Sequence, residues 1–272
     1  MVHTEQHVLI DRRVVDDAGR QLGLITLNRP AEMNPLDWSL VLDLGSALKE
    51  LDADSAVRVI AITGAGKAFS AGGDMKKYST LQRDPVDFPL FLDSIHEVFG
   101  CISQLSKPVV ALVNGIAVAG GIELILSCDL AIASSTAKMG DAHLVFGQMG
   151  GGGALTLLPR AVGPARAREL VLSGRTLDAT EAKDWGIISS VVEPDSLIEA
   201  GEEFTRTVSQ RSPLAVANAK RVMNVAWNEG TGVNAAMRLE REVTARYCLT
   251  SNDAPEGLEA FAEKRLPKYT GS

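Results

Sequence analysis

A single carboxylate, Glu123, lies in an otherwise small and apolar stretch, NGIAVAGGIELILSCD (114–129). We expect it in the first turn of a helix that begins near Gly120, where free N–H groups and the helix dipole favour an acid. A simple helix-start residue is therefore one interpretation. The neighbours Ile122 and Leu124 are apolar, however, and a carboxylate in an apolar wall can act as a general acid or base.

A second polar group, His143, lies in GDAHLVFGQMGGGG (140–153). Its imidazole can donate or accept a proton near neutral pH, and Asp141, two residues earlier, can orient the ring. The alternative interpretation is a solvated or capping loop histidine. The glycines at 150–153 precede an apolar run and predict a helix start, whose N–H groups can bind an anion.

Two glycine-rich turns follow short apolar runs that read as buried strands. TGAGKAFSAGGDMKK (63–77) follows VRVIAIT, and NGIAVAGG (114–121) follows PVVALV. Ligands bind at the carboxyl ends of parallel strands in open α/β sheets, and glycine lets the backbone approach a ligand closely. One N–H from each turn can then converge on one oxygen as an oxyanion hole. The alternative interpretation is that these glycines only form turns and bind no ligand. Neither turn fits a dinucleotide-binding or phosphate-loop motif.

These groups must be positioned by alternating strands and helices, which predict a parallel sheet with right-handed crossovers. We expect strands at 7–15 and 22–30 as a hairpin, and further strands at 57–63, 108–113, 129–133 and just before Gly140. Helices are expected at 36–52, within 86–105 and after Gly121, and in the tail at 196–210, 214–228, 232–248 and 255–265. The chain is therefore divided into an α/β core (1–194) and a helical C-terminal region (195–272).

Composition and residue patterns argue against several functional classes. The 272 residues carry a formal net charge of -7, so no global basic field attracts nucleic acid. No apolar run is long enough for a membrane span, and the start lacks a signal-peptide pattern. Cysteine and histidine positions lack zinc-site spacing. The odd, scattered cysteines predict reduced thiols in a cytoplasmic protein; they are Cys101, Cys128 and Cys248.

Several longer stretches resemble the crotonase family, which is also called the enoyl-CoA hydratase/isomerase family. They are NRPAEMNPL (28–36), GAGKAFSAGGDMKK (64–77), KPVVALVNGIAVAGGIELILSCDLAIAS (107–134), RAVGPARARELVLSGRTLDATEAKDWGIISSVVE (160–193) and DAPEGLEAFAEKRLPKY (253–269). Together they cover nearly the whole chain. They are specific for the family and not for one reaction within it.

The resemblance implies a fold, a substrate and an assembly. The fold is a spiral of ββα units followed by a helical C-terminal region that trimerises, and two trimers often form a hexamer. The substrate is an acyl-CoA thioester, with no cofactor beyond the coenzyme A that the substrate carries. The backbone N–H groups of Gly73 and Gly120 would form the oxyanion hole. The other implied CoA contacts are Ala68, Ser70, Ala71, Gly72, Asp74, Met75, Lys264 and Lys268.

One departure from the family pattern falls on the chemistry. Family hydratases use two glutamates, and the first matches Glu123 whereas the second matches His143. We therefore expect hydration of a 2-enoyl-CoA by Glu123 and His143, with Asp141 orienting the histidine. Double-bond isomerisation, C–C hydrolysis of a β-keto-acyl-CoA and non-catalytic acyl-CoA binding are the alternatives.

Overall fold

The computed structural model describes residues 6–228 and 230–272 and contains two sheets. Their strands are β1 (Val8–Val14), β2 (Gln21–Leu27), β3 (Val57–Gly64), β4 (Ala68–Ser70), β5 (Val109–Val113), β6 (Ile116–Val118), β7 (Leu130–Ser134), β8 (Lys138–Gly140), β9 (Leu177–Asp178) and β10 (Ser190–Val192). The larger sheet has the order β1-β2-β3-β5-β7-β10 and is parallel except for the β1–β2 hairpin. The predicted hairpin and the buried parallel strands are confirmed.

Eleven helices surround these sheets in the part of the chain that the structure describes. They are α1 (Trp38–Ala53), α2 (Met75–Leu81), α3 (Asp87–Ile102), α4 (Gly120–Ser127), α5 (Ala154–Val162), α6 (Pro164–Ser173), α7 (Ala179–Trp185), α8 (Leu197–Ser209), α9 (Pro213–Asn228), α10 (Val233–Thr250) and α11 (Asp253–Glu263). The four helices expected after residue 195 are all present, each within a few residues of its predicted range.

Hydrophobic cores lie on both faces of the larger sheet. One face carries Ile25, Ile60 and Ala111, which pack with α1, α3 and α4 in the main core. The opposite face carries Leu22 and Leu112, which pack against α8. Strands that are covered on both faces read as near-continuous apolar runs, as PVVALV does, and as VRVIAIT does apart from Arg58. The first helix of the C-terminal region thus contributes to the core, and the division at residue 194 stays a prediction.

The smaller sheet, of order β4-β6-β8-β9, was not predicted, and it determines where the site segments lie. Each of β3, β5 and β7 in the larger sheet is followed within a few residues by β4, β6 or β8 of the smaller one. These three short strands pair in parallel, so their carboxyl ends lie side by side. The segments that leave those ends are 71–74, 119–123 and 141–143, and they are the three that the sequence predicted to carry chemistry.

Candidate active site

The three segments open onto one cavity of about 820 Å³. One side of its lining is apolar and comes largely from α3, including Phe91, Leu92, Ile95 and Phe99. Glu123, His143, Gly73 and Gly120 line it as well. A concave, largely apolar cavity with a few polar groups is the usual form of a small-molecule site.

Glu123 lies in the first turn of α4, as predicted, with 3% of its surface exposed. Its Oε1 accepts hydrogen bonds from the backbone N–H of Gly152 (2.9 Å) and of Ala154 (3.2 Å), where α5 begins. Burial raises the pKa of Glu123, against the opposing effects of a charged His143 and of these two N–H donors. The second carboxylate oxygen, Oε2, receives no such hydrogen bond from the described residues and faces His143.

His143 is held by its neighbour Asp141. Its Nδ1 lies 2.5 Å from Asp141 Oδ1, and its backbone N–H donates to the same oxygen at 3.2 Å. This hydrogen bond places a proton on Nδ1. The other ring nitrogen, Nε2, faces Glu123 and lies 3.9 Å from its Oε2. The orienting contact expected between Asp141 and His143 is therefore present in the structure.

The charge balance of this group favours a protonated histidine. Burial by itself lowers the pKa of His143, but the hydrogen bond to Asp141 and the charges of Glu123 and Asp141 outweigh it, and the pKa is raised. Asp141 is 1% exposed, and its Oδ2 has no hydrogen-bond partner in the part of the chain that the structure describes. A positive charge on the imidazole would offset part of the free-energy cost of burying the Asp141 side chain.

The glycine run 150–153 closes the cavity around these side chains. A Cβ at Gly150 would lie 2.7 Å from Glu123 Oε1 and 3.2 Å from the His143 ring, and a Cβ at Gly152 would lie 2.7 Å from Glu123 Oε2. These distances are shorter than ordinary contacts, so side chains here would displace the carboxylate. The predicted helix start after this run is confirmed as α5.

The N–H groups of Gly73 and Gly120 lie on adjacent backbone segments. A Cβ at Gly72, whose φ is +89°, would lie 2.8 Å from the Ala119 side chain and 3.1 Å from Gly120 N, so only glycine permits this approach. Neither the Gly73 nor the Gly120 N–H has a hydrogen-bond acceptor in the described part of the chain. Two free N–H groups on one cavity can hold an oxyanion.

Ala119 turns the chain so that the Gly120 N–H reaches the cavity. Its φ is 51° and its ψ is −119°, a conformation that costs an alanine about 1–3 kcal/mol. Its own N–H donates to the carbonyl of Gly140 in β8 at 3.1 Å, and its carbonyl accepts the N–H of Glu123 at 3.2 Å. These bonds fix the strained residue between the small sheet and α4.

The remaining CoA contacts implied by the resemblance fall into three groups. Ala71, Asp74 and Met75 line the cavity. Three other residues are buried behind that lining and do not face it, namely Ala68, Ser70 and Gly72. The third group is the pair Lys264 and Lys268. Both lie in the C-terminal segment, outside the cavity lining of their own chain.

A group of cations and one tyrosine also line the cavity and were not predicted from the sequence. Arg29 pairs with Asp37 (2.7 Å) and Asp74 (3.2 Å), whereas Lys76, on the exposed first turn of α2, has no ion pair within the described ranges. The adjacent lysines that follow the glycine turn were the available signal for a basic entrance. The tyrosine is Tyr78, in the same helix.

Residues 6–228 and 230–272 contain neither a metal-binding cluster nor a membrane-spanning helix. No group of three or more His, Cys, Asp or Glu side chains is placed to hold a metal ion. No helix in these ranges has the length and hydropathy that crossing a membrane requires. The three cysteines are free thiols, as the sequence predicted.

Comparison with known proteins gives a consistent result. The family model described as "Enoyl-CoA hydratase/isomerase" matches residues 17–272. The chain is 37% identical to a probable enoyl-CoA hydratase of Mycobacterium leprae over 258 residues, which cover 94% of this chain and 97% of that protein. It is 34% identical to a crotonyl-CoA hydratase of Syntrophomonas wolfei over 259 residues, covering 94% and 97% of the two chains.

Solved structures share the fold as well as the sequence. The crystal structure of an enoyl-CoA hydratase from Bacillus anthracis superposes with a TM-score of 0.88 at 31% identity, covering 98% of this chain and 100% of that one. The α/β architecture with its helical C-terminal region is therefore the crotonase fold that the resemblance implied. The chain belongs to the enoyl-CoA hydratase/isomerase family.

Proposed function

We propose that this enzyme adds water across the double bond of a 2-enoyl-CoA thioester. The observation that carries the proposal is that Glu123 Oε2 and His143 Nε2 face each other at 3.9 Å in the cavity that the Gly73 and Gly120 segments also line. Two hydrogen bonds of ordinary length span separations up to about 5.6 Å, so one water molecule can contact both atoms. Relatives that are named enoyl-CoA and crotonyl-CoA hydratases support the same reaction.

In the proposed reaction the two side chains move protons in a defined direction. Ionised Glu123 removes a proton from water while the water oxygen bonds to the β-carbon of the substrate. The double-bond electrons move to the thioester oxygen, and the resulting enolate accepts hydrogen bonds from the N–H groups of Gly73 and Gly120. Protonated His143 then gives its Nε2 proton to the α-carbon, and the product is the 3-hydroxyacyl-CoA. Transfer of a proton from Glu123 back to His143, directly or through solvent, restores the starting state.

The CoA moiety would enter past α2. Lys76 is exposed at the cavity lining and can attract the phosphates of CoA, since its charge is not used in an ion pair within the described chain. Lys264 and Lys268 lie outside the cavity of their own subunit, so we assign them to CoA only across a subunit boundary. Ala68, Ser70 and Gly72 would shape the backbone behind the contact residues.

Turnover of crotonyl-CoA tests the proposal directly. The purified protein is expected to convert crotonyl-CoA to 3-hydroxybutyryl-CoA, followed by loss of the enoyl-thioester absorbance and by mass spectrometry of the product. Longer 2-enoyl-CoAs, 3-enoyl-CoAs and cyclic β-keto-CoAs complete the panel. If only 3-enoyl-CoAs are converted, the assigned reaction becomes isomerisation, and if only β-keto-CoAs are converted, it becomes C–C hydrolysis. CoA binding without any turnover would indicate a binding protein.

A Gly73→Pro variant is expected to lose about 10²–10³ in kcat, which is typical of losing one oxyanion-hole donor. Proline removes the N–H, and the space at this position is open, since the nearest atom to an added Cβ is a Tyr78 ring carbon at 3.7 Å. Gly73→Ala is the matched control, because it adds the Cβ and keeps the N–H. Equal kcat in the two variants would place the oxyanion donor elsewhere.

We further propose that the chain assembles as a trimer, or as a hexamer of two trimers. The C-terminal helices expose large apolar side chains that a free surface rarely carries in such number; more than half of the surface is exposed at Met223, Trp227, Val233, Met237, Leu249, Leu258 and Phe261. Burial of these side chains between subunits is expected to give a trimer or hexamer by sedimentation velocity. A stable monomer at micromolar concentration would contradict this prediction.

The compartment that we propose is the cytoplasm. All three cysteines are free, and free thiols persist in a reducing compartment. Cell fractionation with an antibody against the protein tests this assignment.

A further inference from the structure

Ser70 is a fully buried serine at the end of β4, behind the cavity lining. Its hydroxyl donates a hydrogen bond to the carbonyl of Asn34 (2.8 Å) and accepts one from the backbone N–H of Gly72 (3.2 Å). Gly72 immediately precedes Gly73, whose N–H is assigned to the thioester oxygen. The hydroxyl therefore connects a distant segment of the chain to the turn that carries one oxyanion-hole donor.

Two further hydrogen bonds join the segment around Asn34 to this turn. The N–H of Ala71 donates to the carbonyl of Met33 (2.9 Å), and the N–H of Leu36 donates to the carbonyl of Gly72 (2.7 Å). Gly72 is thus held at both of its polar backbone groups. The serine hydroxyl holds its N–H, and a backbone N–H holds its carbonyl.

The hydrogen bond to the Gly72 carbonyl fixes the direction of the Gly73 N–H. The peptide bond between these two glycines is trans, and the C=O and N–H of a planar trans peptide point in opposite directions. Because the carbonyl points towards the N–H of Leu36, the N–H of Gly73 points away from it. A rotation of this peptide would turn the donor away from a bound thioester oxygen.

Gly72 also determines the spacing between the two assigned donors. A Cβ on Gly120 would lie 3.4 Å from the Cα of Gly72, so the two backbone segments are in contact. β4 and α4 approach each other equally closely at Ser70, because a Cβ on Gly121 would overlap the carbonyl oxygen of this serine. A displacement of Ser70 or Gly72 would therefore change the distance between the N–H groups of Gly73 and Gly120.

We propose that Ser70 is a positioning residue of the oxyanion hole. Its hydroxyl holds Gly72 in place, so that the Gly73 N–H stays directed at the thioester oxygen. The serine acts from behind the cavity lining and does not touch the substrate. The inference rests on the proposed function, because it takes Gly73 and Gly120 as the donors to the enolate. Since the enolate oxygen gains more from well-directed donors than the neutral carbonyl does, loss of this positioning lowers kcat and leaves KM nearly unchanged.

A Ser70→Ala variant is expected to reduce kcat for crotonyl-CoA by about 3- to 10-fold, the effect of one neutral hydrogen bond, and to change KM by less than about 2-fold. Ser134→Ala is the matched control. Ser134 is equally buried, ends β7 and accepts the N–H of Thr136, two residues later, at the same 3.2 Å, but it lies outside the cavity lining. The control should lose a similar amount of thermal stability and keep its kcat.

A second measurement does not depend on turnover. Butanoyl-CoA that is isotopically labelled at its thioester carbonyl has no double bond to hydrate, and hydrogen bonds from the two donors lower its carbonyl stretching frequency. Infrared difference spectra of the bound ligand should show a smaller shift with Ser70→Ala than with the unaltered protein. The shift with Ser134→Ala should equal that of the unaltered protein.

An unchanged kcat and an unchanged carbonyl shift in folded Ser70→Ala would overturn the inference, and so would a loss of kcat that Ser134→Ala shares. If Ser70→Ala does not fold, Ser70→Cys replaces it with the same expected results, because a thiol is a weaker donor and acceptor than a hydroxyl. If the unaltered enzyme does not hydrate crotonyl-CoA, the proposed function fails, and the carbonyl shift still decides whether Ser70 positions the donors.

Discussion

A Glu123→Gln variant is expected to lose about 10²–10⁴ in kcat, the usual contribution of a general acid or base. The amide has the shape of the carboxylate, and its oxygen can still accept the N–H groups of Gly152 and Ala154. The side chain should therefore stay in place while losing its ability to take a proton from water. The loss should appear in kcat for crotonyl-CoA, measured at saturating substrate, and the midpoint of thermal unfolding should not fall.

The same amide replacement at Glu97 is the matched control, because that side chain lies on the exposed face of α3. It should leave kcat unchanged. Comparable activity in the Glu123→Gln and Glu97→Gln proteins would show that the buried carboxylate is structural. The helix-start interpretation of Glu123, which its position in α4 also permits, would then be the correct one.

His143→Ala is expected to reduce hydration by a similar factor of about 10²–10⁴, since it removes the proton donor to the α-carbon. His143→Glu should be far more active than His143→Ala, because a carboxylic acid can also donate that proton and is the residue that family hydratases use here. Both variants are compared by kcat for crotonyl-CoA and by incorporation of deuterium at the α-carbon in heavy water.

The pH dependence tests the same pair independently. Activity requires ionised Glu123 and protonated His143, so it should fall on the acid side as Glu123 gains a proton and on the alkaline side as His143 loses one. Both pKa values are raised in the folded protein, so the acid limb should lie above about 4.5 and the alkaline limb above about 6.5. Asp141→Asn weakens the interaction that raises the pKa of His143, and should move the alkaline limb to lower pH.

Full activity of His143→Ala on the best thioester, with a flat profile from about pH 5 to 8, would contradict the paired mechanism. Glu123 would then be the only acid or base left in the mechanism, and movement of the double bond in a 3-enoyl-CoA would become the better assignment. A shift of the alkaline limb in Asp141→Asn with unchanged kcat at the optimum would instead confirm that Asp141 acts through His143.

The elements and the principal side chains could be predicted from local pattern. Residues 109–113 are a continuous apolar run and residues 57–63 are nearly one, interrupted by Arg58. Such runs indicate strands that are covered on both faces. Glu123 is conspicuous in the sequence because a carboxylate among apolar neighbours is rare, and the spacing of two residues between Asp141 and His143 puts their side chains within reach of each other. In each case the information lies within a few residues of the chain.

Other features depend on contacts between distant segments and left no local signal. Strands of three residues, such as Ala68–Ser70 and Ile116–Val118, are too short to show the alternation that identifies a strand. The hydrogen bonds from Gly152 and Ala154 to Glu123 join positions about 30 residues apart, and only the folded chain brings them together. Tyr78 looked like an ordinary helical residue until α2 placed it against Gly73.

The close packing of Gly150 and Gly152 against the Glu123 carboxylate also bears on how such a site changes during evolution. The His143 ring lies within 3.2 Å of the space that a Cβ at Gly150 would fill. The residues at 143 and 150 therefore constrain one another. A lineage that exchanges histidine for glutamate at 143 places a side chain of different shape in the same space, and the residue that fits best at 150 changes with it. Substitutions at these two positions are thus expected to be epistatic, and ancestors that differ at one of them are expected to differ at the other.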